Sequence, residues 1–272
     1  MSARLLLQLI LLAQAAAACM IAWAAARYFG LPALAALALG VAAVLLVRAL
    51  ISVNNFRMSM RAASPAPEAF RLGLRGWLHL FWGEFRASML HSSWFMPRAC
   101  PAQRIYPAPG LPPVLLLHGY GCNSGYWVHL AALLDAARIS HTSLDLEPLG
   151  APIDDYVPAV ARAVDNLCQA AGARQVVIVA HSMGGLVARA YLRAHGSGRV
   201  ARVVTLGSPH HGTCLAGLAP GMNAPGDRMP YWGWRTRAKA SAPASFFFRK
   251  SIFGWCQTSI QPLRSASSRA MR

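Results

Sequence analysis

Val176-Val177-Ile178-Val179-Ala180-His181-Ser182-Met183-Gly184-Gly185, continued by Leu186-Val187-Ala188-Arg189-Ala190-Tyr191-Leu192, decides the fold. A β-branched run with no polar face reads as a strand covered on both sides. It stops at a serine, and a helical pattern begins at once with no loop between. This is the sequence form of a nucleophile elbow, a strained strand-to-helix turn that pushes the serine hydroxyl clear of the backbone, near a helix N-terminus. Strand and helix pass close together in such a turn, so the positions two before and two after the serine must be small. They are Ala180 and Gly184. Glycine is the common residue at the first of these, and Ala180 adds one methyl group. The competing reading is an ordinary βα turn in which Ser182 caps the helix. The double glycine, with a strand before and a helix after, favours the elbow.

Working outward, Val114-Leu115-Leu116-Leu117 reads as a buried strand ending in the glycine loop His118-Gly119-Tyr120-Gly121. Asn123, Ser124 and Trp127 open a helix to about Ala137, and Thr142 to Leu146 forms a short parallel strand. Ile153 to Ala171 is a helix with Val157, Val160, Val164 and Leu167 on one face, ended by Gly172. Val200 to Leu206 is a further strand, running into Gly207-Ser208-Pro209-His210-His211-Gly212-Thr213. Strands alternating with helices predict a mostly parallel α/β sheet with helices on both faces. Reactive groups collect at the carboxyl ends of such strands, where Tyr120, Ser182 and His210 fall. In an acyl-transfer enzyme the N–H groups of Tyr120 and Met183 would form an oxyanion hole, and Gly119 would keep side chains out of its way.

The His118–Gly121 loop, the Ala180–Gly185 elbow and the Thr205–Thr213 strand end together resemble the α/β-hydrolases of the bacterial triacylglycerol lipase and esterase group. The resemblance covers residues 112–222. It implies hydrolysis of carboxylic esters through an acyl-enzyme on Ser182, with an ester or lipid as substrate and no metal or organic cofactor. His181 and His210 match positions that flank such sites. His181 is expected to point away from the elbow tip, and His210 to order the loop after its strand.

A serine hydroxyl is a weak nucleophile until a histidine takes its proton, and an acid must hold that histidine's tautomer. In this fold the partners follow the serine in the order acid, then histidine. After Ser182 the chain has one acidic residue, Asp227, and its histidines are His195, His210 and His211, all before Asp227. The triad acid and base are therefore not identified by sequence. From Pro225 to Arg272 nine Arg and Lys residues face Asp227 alone, and the strands that should carry acid and base are not recognisable. We expect the reading to depart from the family near Gly221–Pro225, as a frameshift would produce, with translation of the other two frames as the test. A basic tail that binds anionic lipid is the alternative.

Of the residues, 56% are apolar and 13% charged, with a net charge of +17. Nucleic acid is the weaker choice of partner, because the arginines are scattered rather than striped and no recognition motif is present, and no nucleic-acid partner is expected. Anionic lipid fits the hydrophobic N-terminus better. Leu5 to Ala26 has no charged residue and is long enough to span a bilayer. Arg27 to Pro32 turns the chain, and a second run from Ala33 continues to about Val53 if Arg48 snorkels. A cleaved signal peptide ending at Ala24-Ala25-Ala26 competes, but the first run is long, the start carries only Arg4, and a second run follows. Arg57, Arg61, Arg71 and Arg75 after the second helix, against Arg27 in the turn, place the following domain in the cytoplasm, on the inner membrane. Gly76 to Leu90 predicts an amphipathic aromatic helix that either lies in the membrane interface or packs on the hydrolase domain.

The expected organisation is thus a transmembrane hairpin over 1–53, a linker with the aromatic helix over 54–110, a hydrolase core over 111–222 and a basic tail over 223–272. Six widely spaced cysteines read as free thiols. Three functions compete: a membrane-anchored serine esterase or lipase, a non-catalytic hydrolase-like membrane protein that binds lipid or a partner, and a thioesterase or acyltransferase using the same elbow.

Overall fold

The computed structural model describes residues 1–62, 72–107 and 111–210. The Pro-rich linker around Pro65, the residues Asp227 and His211, and the basic tail lie outside the described residues. Among the described residues, contacts divide the chain into a helical unit, Leu5–Pro97, and a second unit of Met1–Arg4 and the residues from Arg98 to His210.

The helical unit holds α1 (Ala3–Phe29), α2 (Ala33–Ala62) and α3 (Leu74–Leu90). α1 stops where Gly30 adopts a positive φ of 65° and Pro32 withholds a backbone donor. α2 runs nine residues past the expected Val53, because nothing before Pro65 breaks it. The two helices approach closely at Gly40, where a side chain would collide with the carbonyl oxygen of Ala18. α3 places its aromatic face on α2, with Phe56 edge-on to Trp77 and to Phe81 at ring separations of 6.5 and 5.5 Å. Sequence reading offered two other resting places for those rings. α3 continues through a π-helical turn, His91–Phe95, into the short α4 (Met96–Arg98). Arg48 does not snorkel free: its guanidinium is bonded to Gln14 and to Ser92 and Ser93 of the π turn.

The second unit is a five-stranded sheet in the order β1-β3-β2-β4-β5. Its strands are β1 (Gln103–Arg104), β2 (Val114–Leu117), β3 (His141–Leu144), β4 (Val176–His181) and β5 (Val200–Leu206). All pairings are parallel except that of the two-residue β1 with β3. The helices are α5 (Val128–Ala136), α6 (Val157–Ala171) and α7 (Met183–His195), and a 3-10 turn precedes each of the first two. Alternation along the strands gives each sheet face its own core. Leu115, Leu117, Val176, Ile178 and Ala180 pack with α6 and α7. Val114, Leu116, Val177 and Val179 face Trp127, Leu130 and Leu134. α6 buries Val157, Val160, Val164, Leu167 and Cys168 and ends at Gly172, whose φ of 61° lets the chain turn out of the helix. The expected α/β sheet with helices on both faces is the observed one.

Candidate active site

Three strand ends meet at the site: β2, which runs into the glycine loop, β4, which ends at Ser182, and β5. Ser182 has φ 51° and ψ −121°, one of two non-glycine residues with positive φ among the described residues. Holding a non-glycine residue there costs roughly 1–3 kcal/mol. Its N–H is fixed by the carbonyl of Leu206 on β5 at 2.9 Å, and its carbonyl accepts the N–H of Gly185 at 3.1 Å. The side chain makes no capping hydrogen bond to α7. The ordinary-cap reading therefore fails, and the hydroxyl is held without a helix-capping role.

Two glycines make this geometry possible. A Cβ on Gly184 would sit 2.6 Å from the carbonyl oxygens of both Leu117 and His118, so α7 can only cross β2 there on a hydrogen. Ala180, two residues before the serine, is fully buried and packs within the α6–α7 core, so its extra methyl group is absorbed. A Cβ on Gly119 would lie 2.9 Å from the Cβ of Ser182 and 3.0 Å from Nδ1 of His181. The glycine loop thus lies directly against the elbow, as sequence reading brought them together. Gly119→Ala is expected to push on Ser182 and lower kcat/KM about a hundred-fold, the scale of an ångström misplacement. Kinetics on the purified variant, beside an unaltered circular dichroism spectrum, would check this; full activity would refute the contact.

His118 is the residue that sequence reasoning missed. It is 2% exposed at the end of β2, and its Nε2 accepts the N–H of Leu146 at 2.9 Å. The ring proton must then be on Nδ1, which donates to the carbonyl of Gly119 at 2.8 Å. A planar trans peptide directs its N–H opposite to its carbonyl, so this bond also fixes the direction of the Tyr120 N–H. Asp145 lies 3.7 Å from Nε2 and accepts the N–H of Ser124 at 2.5 Å, tying the loop to the end of β3. The only hint in sequence was a histidine between a buried strand and a glycine.

His181 stacks on Tyr126 with ring centroids 4.4 Å apart and lies beside Gly119. Burial, and then the neighbouring His118, push its pKa down to about 4. Burial also lowers that of His118, against the opposing pull of the Gly119 carbonyl and Asp145. Both rings are therefore neutral in the native state, whereas an unfolded chain protonates them near 6.5. With the unfolded state binding more protons, their stabilising effect is complete above about pH 6.5 and is lost as pH falls toward 4. For His181 that loss is on the order of 2–3 kcal/mol. Urea midpoints should fall between pH 7.5 and pH 5, and His181→Gln should flatten the fall; equal slopes would contradict the assignment.

His210 is tied to β5 and α7. Its Nε2 lies 3.0 Å from the Thr205 hydroxyl, and Arg189 of α7 reaches its Nδ1 and its carbonyl, both at 3.3 Å. His195 stacks on Tyr191 at the end of α7. Cys19, Cys100, Cys122 and Cys168 are free thiols, and burial raises that of Cys122 to about 11, which keeps it unreactive.

A family model described as alpha/beta hydrolase fold matches residues 112–272, more than half of the chain. The chain belongs to the α/β-hydrolase fold family. The match runs to Arg272, beyond the motifs that carry the resemblance. Among solved structures, the mature form of a Bacillus licheniformis lipase is similar at 29% identity, covering 44% of this chain and 50% of that chain, with a TM-score of 0.40. An esterase from a Rhodococcus species is 29% identical over 40% of this chain and 42% of that one, TM-score 0.32. A Paleococcus ferrophilus monoacylglycerol lipase is 20% identical over 44% and 47%, TM-score 0.35. The chain spans about half the length of these structures. Comparison with curated proteins finds no match.

Proposed function

We propose that this protein is a membrane-anchored serine hydrolase that cleaves carboxylic esters, lipid esters among them, through an acyl-enzyme on Ser182. One observation carries the reading: a serine in a positive-φ turn between β4 and α7, with a glycine loop against its Cβ. In this reading the Ser182 oxygen attacks the ester carbonyl carbon and its proton passes to a base. The alkoxide leaves with a proton, and water then releases the acid. The negative oxygen of the tetrahedral intermediate is met by the N–H groups of Tyr120 and Met183, the latter at the N-terminus of α7. Gly119 keeps a side chain away from Ser182, and Gly184 lets α7 pass close to β2. The acid and base are not assigned. Thioesterase or acyltransferase chemistry would use the same serine and donors.

Anchoring is supported by α1 and α2, both long and apolar enough to cross a bilayer. Their large apolar side chains face outward, Leu12, Trp23 and Leu34 being 66, 63 and 83% exposed, which water would penalise and lipid would not. The arginines that follow the apolar stretch of α2, beginning with Arg57 and Arg61 in its last turns, favour a hydrolase domain on the cytoplasmic side of the inner membrane, with anionic lipid beside it.

A fluorophosphonate probe tests the function. Labelling at Ser182, lost in Ser182→Ala, supports the hydrolase. Lipid binding with no labelling, unchanged in that variant, would support a non-catalytic lipid- or partner-binding protein.

A further inference from the structure

Arg48 lies about 22 Å along α2 from Ala33, and Gln14 about as far along α1 from Phe29. With the turn at one face of a hydrocarbon layer about 30 Å thick, both sit some 8 Å short of the other face, about the depth at which an arginine reaches phospholipid head groups. The Arg48 guanidinium donates through Nη1 to Oε1 of Gln14 (3.1 Å) and to Oγ of Ser93 (2.9 Å). Its Nη2 donates to Oγ of Ser92 (2.5 Å), whose own proton goes to the carbonyl of Ser88 (2.6 Å). Ser92 and Ser93 can both face one cation because His91–Phe95 is a π turn, whose wider winding brings consecutive side chains closer to one side.

Every one of these partners is neutral. Among the described residues of the helical unit the one carboxylate is Glu84, and it is not a partner of Arg48. A guanidinium has five N–H donors, and here the Nε–H and one Nη2–H remain among the described residues, enough for two oxygens of one anion. Three hydrogen bonds to neutral groups fix the fork in place without cancelling its charge. In an apolar medium such a charge needs a counter-ion, and at this depth the available anion is a phosphodiester.

We propose that Arg48, held by Gln14, Ser92 and Ser93, binds the phosphate of an anionic phospholipid in the leaflet nearest the two ends of the α1–α2 hairpin. The site rests on the membrane reading of α1 and α2. Native mass spectrometry of the full chain, released from detergent carrying equal phosphatidylglycerol and phosphatidylcholine, tests it. Phosphatidylglycerol should be retained about five-fold more by the wild type than by Arg48→Gln, the scale of one basic residue at an anionic surface. Arg48→Lys should fall between them, because it keeps the charge and loses the fork. Ser92→Ala/Ser93→Ala, which keeps the cation and frees its orientation, should also bind less. Equal retention by wild type and Arg48→Gln would overturn the site. Displacement of the lipid by millimolar inorganic phosphate would overturn the lipid as its source. Alkaline carbonate extraction separates the two readings: wild type that stays in the membrane with no lipid preference overturns the site alone, whereas wild type released as soluble protein overturns both.

Discussion

Ser182→Ala is expected to lower ester turnover by about a million-fold in kcat while leaving the fold and its stability nearly unchanged. The magnitude follows from removing the group that forms the covalent bond, since the remaining donors can polarise a carbonyl but cannot attack it. Stability should hold because the Ser182 side chain caps no helix N–H, and alanine keeps the same Cβ in the same turn. The thermal midpoint should therefore move by no more than a degree or so, within the roughly 0.5 kcal/mol spread of neutral changes. Turnover of a chromogenic ester by the purified full chain, beside a melting curve, checks both halves. Undiminished turnover in the alanine variant would remove Ser182 from the chemistry, whatever its geometry.

Gly184→Ala carries the largest expected cost to folding. On helix propensity alone the change should stabilise α7 by roughly 1 kcal/mol. The new Cβ, however, would stand 2.6 Å from the carbonyl oxygens of Leu117, the last residue of β2, and of His118 just after it, and backbone cannot rotate aside as a side chain can. Overpacking of this kind costs about 3 kcal/mol or more, so the clash outweighs the propensity. A net loss of about 2 kcal/mol or more corresponds to a fall in Tm of at least roughly 4 °C for a domain of this size. Activity should drop as well, since any shift of α7 carries the N–H of Met183 with it. A Tm equal to that of the wild type would show that α7 and β2 are not so close.

What the sequence made legible was whatever depends on local pattern. The uniform apolar run Val176–Ala180 and the period of Val157, Val160, Val164 and Leu167 are set by which faces are buried, and they appear in the structure where the pattern places them. β5 has the expected bounds, Val200–Leu206. The elbow was legible because a strained turn needs small residues at fixed offsets. Other features depend on partners distant in sequence. β1 is two residues long and exists through its pairing with β3. The π turn at His91–Phe95 follows a helix that looks regular, and nothing in its composition marks the wider winding. Arg48 looked like a cation to be carried to the surface, since its partners lie 34 to 45 residues away. His118 acts through the N–H of Leu146, 28 residues on, and no local pattern reports such a bond.

The backbone angles of Ser182 have a last consequence. At φ 51° and ψ −121° a glycine would relieve strain that any side chain incurs, so the position lies on a stability gradient that runs away from serine. A protein using this turn only to reverse its chain would have every thermodynamic reason to slide down that gradient. This chain instead keeps a serine there, although its side chain caps no helix N–H. The nucleophilic role proposed for Ser182 would account for a side chain kept at that cost.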